Sequence, residues 1–323
     1  MRRVGVGQFD TKAAIVVRDD LATWQRLNVT AFLMAGVTAH AGPTAIGQDY
    51  EDADGRRYLS LLVQPVLVFE AGVRIFERSP VRAVRSDVMV VTEAGVVNAR
   101  RVLLATSAYP PLVRAIRRYA APAYDYVLVT EPVDANAIGW SARQGVSDTG
   151  NRFHYSRQTA DGRILWGGYD AVYRYGGPVG PQLDEHEPTF ARLSQHFFTV
   201  FPQLEGVRFT HRWGGAIDTC SRFSVFFGRA LGGRVAYALG CTGLGVGASR
   251  FGGRVALDLL DGRAGEATEL AMVGRRPLPF PPEPLRRAVI QLTRNRLAAA
   301  DRNEGRRGLW LTALDRLGLG FDS

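Results

Sequence analysis

The sequence predicts an α/β fold joined to a strand-rich block in the middle of the chain. Three segments carry that reading. Arg101–Thr106 is a short continuous apolar run ending in small residues, the pattern of a strand buried on both faces. Between Tyr124 and Asp218, short β-rich runs follow one another with one helical interruption. Arg234–Leu239 reads as a strand that runs into Gly240-Cys-Thr-Gly-Leu-Gly-Val-Gly and then into a helical pattern over Ser249–Leu260.

The elements follow in chain order. Residues 1–62 carry the weakest signal: short apolar pieces at Ala13–Val17 and Ala31–Val37, and a loop pattern over Asp49–Arg57. Gly72–Glu77 alternates apolar and polar residues, as a half-buried strand does. Pro80–Val84 alternates again, Val88–Thr92 is β-rich, and Glu93-Ala-Gly95 closes a turn before Val96–Ala99. A helix is expected at about Leu112–Tyr119. In the middle block, Tyr126–Thr130, Arg152–Ser156, Arg163–Gly168 and Arg208–Trp213 read as strands. Phe190, Leu193, Phe197 and Val200 recur at helical spacing and predict one face of a helix over about 188–200. The later helix is expected to pack Val255, Leu259 and Phe251. The tail opens on Pro277–Pro284, then shows a basic helix with Leu285, Val289 and Leu292 on one face, and a last helix around Trp310, Leu314 and Leu317.

Composition narrows the function classes. The 323 residues are 46% hydrophobic and 22% charged, which excludes a disordered, collagen-like or disulfide-stapled chain. No apolar run reaches the roughly 18 residues that span a bilayer, and the first residues lack a signal peptide's apolar stretch. A cytoplasmic protein without a transmembrane segment is expected. Cys220 and Cys241, the two cysteines, suit a reducing compartment. Forty basic against thirty-one acidic residues give +9, and Lys12 is the only lysine. The arginines are spread along the chain, with one denser stretch from Arg275 to Arg307. A nucleic-acid binder concentrates its charge, so no nucleic-acid partner is expected. The basic tail helix keeps one alternative open, binding to an anionic surface; capping the domain before it is the preferred reading.

Gly243–Ala248 matches G-x-G-x-x-A between a strand and a helix. A dinucleotide unit also needs a second parallel strand ending in an acid about 20 residues on. Here Asp258 and Asp261 lie in or at the end of the helix and the proline run follows, so a self-contained unit is rejected. What remains is a helix N-terminus whose first amides lack partners, approached over glycines. Two readings stay open: a cradle for an anionic or electron-accepting group, or a tight turn without a ligand. The five histidines are scattered without metal-ligand spacing, so no metal and no acid–base residue is assigned.

Arg101-Val-Leu-Leu-Ala-Thr-Ser-Ala-Tyr, the strand-rich middle ending near Trp213-Gly-Gly, and Tyr237-Ala-Leu-Gly-Cys-Thr-Gly-Leu-Gly-Val occur in the order of a known family. The chain resembles, over roughly residues 63–262, the D-amino-acid oxidase-like superfamily of FAD-dependent oxidoreductases, in the gamma-glutamylputrescine oxidase and glycine oxidase-like branch. The resemblance implies an FAD/NAD(P)-binding Rossmann-type domain interleaved with an antiparallel-sheet substrate domain. Residues 63–123 and 219–262 would then belong to the FAD domain, 124–218 to the substrate domain and 263–323 to a basic helical tail. It implies FAD as cofactor and, as substrate, a small amine or amino acid whose C–N bond is oxidised. Val81, Ala105, Thr106 and the run Gly240, Cys241, Thr242, Gly243, Leu244, Gly245, Val246 would contact the cofactor. His154, Tyr169, Trp213 and Arg222 are the candidates for binding substrate. Some relatives attach FAD through cysteine, but no such link is expected here. The family opens with a strand and G-x-G-x-x-G. Residues 1–62 show neither, so a truncated or unrelated start and weakened FAD binding are expected, with a non-catalytic relative as the alternative.

Overall fold

The structure is a computed structural model that describes residues 48–51, 57–60, 76, 79–140 and 145–319. The apolar pieces at 13–17 and 31–37, and all but Phe76 of the expected Gly72–Glu77 strand, lie outside the described residues. Among the described residues the expected loop over Asp49–Arg57 is corrected. Gln48–Glu51 (β1) and Arg57–Ser60 (β2) pair antiparallel, Gln48 opposite Ser60 and Glu51 opposite Arg57. Its polar residues hid the strand pattern.

Two compact units follow. One comprises Ala121–Ile217 and the segment from Phe280 onward; the other comprises described residues up to Ala120 and Asp218–Pro279.

The first unit is built on a five-stranded sheet of Ala121–Thr130 (β7), Gly145–Ser147 (β8), His154–Gln158 (β9), Ile164–Gly168 (β10) and Phe209–Thr219 (β11), in the order β11-β7-β10-β9-β8. The preceding strands, Val81–Val84 (β3), Met89–Thr92 (β4), Val96–Asn98 (β5) and Val102–Leu104 (β6), belong to the second unit. β10 runs antiparallel to both β7 and β9. Helix α1, Glu187–Val200, covers one face. Its Phe190, Leu193 and Phe197 are buried in one cluster with Tyr126, Leu128, Ile164 and Trp166 of the sheet. Each such side chain contributes about 1.5 to 3 kcal/mol on burial. Val200, expected on the same stripe, is 52% exposed.

The second unit holds a three-stranded sheet of β6, Phe226–Ala230 (β12) and Val235–Leu239 (β13), in the order β12-β13-β6. β13 is parallel to β6, with Val235, Ala236 and Tyr237 opposite Val102, Leu103 and Leu104, as the two sequence runs lead one to expect. β13 is buried along its whole length because both faces are covered. Helix α2, Gly245–Asp261, sets Val255 and Ala256 against Ala236, Ala238 and Phe227. On the other face Val235, Tyr237 and Leu239 pack with Val81, Val84 and Val90 of the β3-β4-β5 meander.

Two expectations are corrected. The Leu112–Tyr119 helix is a single 3-10 turn, Arg114–Ile116, because Val113 and Ile116 are drawn into the apolar cluster by a short bend. The tail from Phe280 does not cap the second unit; it joins the first. Helix α3, Leu285–Arg302, is fastened there by Asp301, which accepts from Asn151 N and Nδ2 at 2.8 Å and from Arg152 N at 3.1 Å. Leu285 and Leu292, read as its buried stripe, are exposed, and Ala298 and Ala300 are buried instead. Helix α4, Leu309–Arg316, packs on α3 through Trp310 Nε1, which donates to Thr293 Oγ1 at 3.1 Å.

Candidate functional site

Because β6 and β13 are parallel, both leave their sheet at the same edge, where α/β sheets bind ligands. Ala105 and Thr106 follow β6 at that edge. Thr106 is buried and its Oγ1 has no partner. The β13 chain turns there through Gly240, Thr242 and Gly243, all with positive φ (77°, 51° and 86°). Gly240 is required: a Cβ would lie 2.8 Å from Cys220 Cβ and 2.8 Å from the Phe226 ring. The turn delivers the chain to α2, which begins at Gly245, one turn earlier than its apolar pattern suggests. The first amides of α2, from Gly245 and Val246, have no acceptor within the helix. Val81, at the start of β3, is buried in the apolar cluster of the same unit.

Asp218 had no place among the sequence candidates. It is buried beneath the turn, and its Oδ2 accepts the Gly240 N–H at 2.6 Å. Burial pushes its pKa up to about 6, although amides of Gly240, Cys241 and Thr242 hydrogen-bond to it and pull the other way. Thr242 N also donates to the Asp218 carbonyl at 3.0 Å. The amides of Gly240, Cys241 and Thr242 therefore point inward to Asp218. This corrects the expectation that the whole run offers its amides to a ligand; the first turn of α2 is what remains available. A lone acid at the end of a strand gives no sequence signal; the only clue was the glycine turn that needs an acceptor. Cys241 and Cys220 are buried and free, and burial pushes the Cys241 thiol up to about 12.

The first unit places its candidates on two faces of one sheet. His154 faces α1: Trp166 and Tyr169 stack on its ring at 4.7 and 5.0 Å, and Tyr169 is capped by the Arg152 guanidinium at 3.9 Å. His154 and Tyr169, both candidates for binding substrate, are thus packed against one another beneath a helix. Strand alternation sends Tyr155 to the opposite face. There its ring lies against Gly167 and its hydroxyl donates to Asp125 Oδ2 at 2.7 Å. Burial raises the pKa of Asp125 despite that hydrogen bond, and raises that of Tyr155. A Cβ on Gly214 would strike the Tyr126 ring on the α1 side, so Trp213 shares the face of Tyr155. Of these neighbours, the sequence candidate His154 lies on the α1 face and Tyr155 on the opposite one.

Arg222, expected to fork a substrate carboxylate, is committed to the protein. Its guanidinium donates to the carbonyls of Arg275 at 2.8 Å, Met272 at 3.0 Å and Val225 at 3.1 Å. It pins residues 271–275 to the turn before β12. Among the described residues, no group of three or more His, Cys, Asp or Glu is placed to hold a metal ion, and no helix is long and apolar enough to cross a membrane.

A family model described as FAD dependent oxidoreductase matches residues 48–259. The chain is 28% identical over 203 residues to the probable oxidoreductase OrdL of Haemophilus influenzae, covering 60% of this chain and 44% of that protein. It is 30% identical over 215 residues to the gamma-glutamylputrescine oxidoreductase of Escherichia coli, covering 64% and 48%. The chain thus spans about half the length of the curated relatives it matches. The fold is similar to that of L-proline dehydrogenase from P. horikoshii, with TM-score 0.53, 20% identity, and 63% of this chain and 55% of that one covered. Glycine oxidase from Bacillus cereus gives TM-score 0.52, 17% identity, and 65% and 56% covered. With two thirds of its residues inside the family model and the strand–turn–helix of β13 and α2 formed as the family's order requires, the chain belongs to the FAD-dependent oxidoreductase family.

Proposed function

We propose that this chain forms part of an enzyme that binds FAD and oxidises the C–N bond of an amine or amino acid. The observation that carries the reading is the unpartnered Thr106 hydroxyl at the edge where β6 and β13 leave their sheet. A buried hydroxyl without a partner costs about 1 to 3 kcal/mol, and the polar rim of a flavin ring would supply the missing acceptor or donor. When bound, FAD accepts a hydride from the carbon next to the substrate nitrogen. The residues that would hold it are Thr106, the turn from Gly240 to Leu244, and the first amides of α2. Asp218 holds the turn rigid from beneath.

For the substrate, the reading rests on the sheet face that carries Asp125, Tyr155 and Trp213. Asp125 is a half-buried carboxylate whose one side-chain partner is a neutral phenol. It suits the ammonium of an amine, and Trp213 stands on the same face of the sheet.

The test is reconstitution. Protein titrated with FAD should bind it saturably, if weakly, read at the flavin band near about 450 nm, and a substrate amine should bleach that band without oxygen. Asp125→Asn should leave flavin content unchanged and raise the half-saturating amine concentration by about tenfold or more. Failure to bind FAD in titration overturns the cofactor reading; an unchanged half-saturation in Asp125→Asn overturns the substrate face alone.

A further inference from the structure

The first unit holds a second polar centre, on the α1 side of its sheet, that flavin chemistry does not use. Asp148 Oδ2 lies 2.6 Å from His154 Nδ1 and accepts the His154 backbone N–H at 3.0 Å. His154 Nε2 lies 2.9 Å from His196 Nδ1. An ionised carboxylate only accepts, so the neutral His154 carries its proton on Nδ1 and accepts at Nε2 from His196 Nδ1–H. His196 Nε2 is left as the free end of the chain Asp148–His154–His196. The stacked Trp166 and Tyr169 fix the plane of the His154 ring, and Tyr169 meets His196 edge-on at 4.5 Å.

Next to this chain lies an excess of positive charge. Asp170, 2% exposed, is bound by Arg152, Arg192 and Arg294, and accepts from Thr189 Oγ1 at 2.9 Å. A carboxylate offers about four acceptor positions, and these four donors fill them. Three guanidiniums face one carboxylate, so two positive charges are left without a counter-charge on that residue. Arg152 Nε donates to the Tyr169 carbonyl at 3.0 Å, but the buried Arg294 Nε has no acceptor at all. Arg192 and His196 stand four residues apart on α1 and share one face. The charged and titratable groups that face the centre are Asp148, Arg152 and His154 from the β8–β9 hairpin, Tyr169 and Asp170 after β10, His186 just before α1, whose Nδ1 lies 2.8 Å from Thr189 Oγ1, Arg192 and His196 from α1, and Arg294 and Asp301 from α3.

We propose that Arg192, His196, Arg152 and Arg294 form an oxyanion-binding site for the carboxylate or phosphate group of a small molecule. The oxyanion accepts from the spare guanidinium N–H groups and from His196 Nε2–H once that nitrogen is protonated. Asp148 stabilises the added charge through His154. Burial first, and then His154 and Arg192, hold the empty His196 below its ordinary pKa. A bound anion reverses the electrostatic part of that shift, so binding takes up a proton and strengthens as pH falls.

Calorimetric titration with inorganic phosphate, and separately with acetate, at one ionic strength set by chloride, tests the site without reference to flavin. Saturable binding with a dissociation constant at or below about 1 mM is expected, tighter at about pH 6 than at about pH 8. Arg192 is 43% exposed, so Arg192→Gln spares the buried Arg152–Asp170–Arg294 contacts and should weaken binding by about tenfold. His196→Gln should bind weakly and lose the pH dependence. Arg296→Gln removes an exposed charge elsewhere on α3 and should bind as the parent does. Binding of phosphate alone assigns a phosphate group, and binding of both anions assigns a carboxylate-tolerant site. No saturable binding, or equal losses in Arg192→Gln and Arg296→Gln, overturns the proposal and reduces the effect to attraction by a basic surface.

Discussion

The two units stabilise their polar groups in opposite ways. In the first, charge is dispersed. Asp170 alone ties together the segment after β10, helix α1 and helix α3 through three arginines, and Asp301 adds the β8–β9 hairpin. In the second, apolar packing dominates, and among its described residues one buried acid, Asp218, serves one turn. The contrast is seen in the two acids' protonation. Burial pushes both up, but in Asp170 Arg152, Arg192, Thr189 and Arg294 outweigh it and hold the carboxyl below its ordinary range. Asp218 has amides only, and burial wins. An ion network holds its acid's pKa below the ordinary range; a nest of amides leaves its acid raised to about 6.

Three substitutions probe that contrast. The largest effect is expected from Asp170→Asn, which strands three guanidiniums. It should cost roughly 3 to 5 kcal/mol in chemical denaturation followed by the tryptophans of the first unit. A loss below about 1 kcal/mol would mean that the arginines find water instead. Because its folded pKa is depressed, the stability Asp170 provides is present above the unfolded carboxylate pKa and disappears as pH falls through the folded value.

Gly240→Ala comes next. It forces a side chain into the left-handed region and against Cys220 and Phe226. Strain and overpacking together should cost roughly 2 to 4 kcal/mol, read as a lower melting temperature.

Asp218→Asn should have the smallest effect, and one that changes with pH. The folded pKa of about 6 lies above the ordinary 3.8, so the folded state binds the proton more tightly. The parent therefore loses stability as pH rises between those values, by up to about 3 kcal/mol, and the loss is complete above the folded pKa. Asp218→Asn keeps an acceptor for Gly240 N–H without the charge. The difference in stability between parent and variant should shift in favour of the variant between about pH 4 and about pH 7; a pH-independent difference would show that Asp218 is already charged at low pH.

Local patterns were legible where burial was uniform or strictly alternating. β6, β7, β9, β10, β13 and α2 follow from the residues because each has its apolar positions at one period, whereas the short, exposed β8 carried no such signal. β12 was missed because Phe226 and Phe227 stand side by side and are both buried, which breaks alternation. The destination of the tail was illegible for another reason. Its apolar stripe pointed to one partner, but the contacts that hold α3 are polar ones from Asp301 and Arg294. Site chemistry was the hardest to read, since Asp125 and Tyr155, or His154 and His196, meet only after the sheet and α1 have formed.

The adjacency of His154 and Tyr155 has a consequence for how this sequence can change over time. One residue belongs to the anion-binding side and the next to the opposite face, and they are separated only by the pleat. Substitutions can adjust either chemistry by itself. A single-codon insertion or deletion within β9 cannot, because it sends the imidazole toward Asp125 and the phenol toward His196 together. β9 is therefore expected to tolerate residue replacement far better than any change in length, and the Asp148–Asn151 hairpin before it, which holds His154 and Asp301, shares that intolerance.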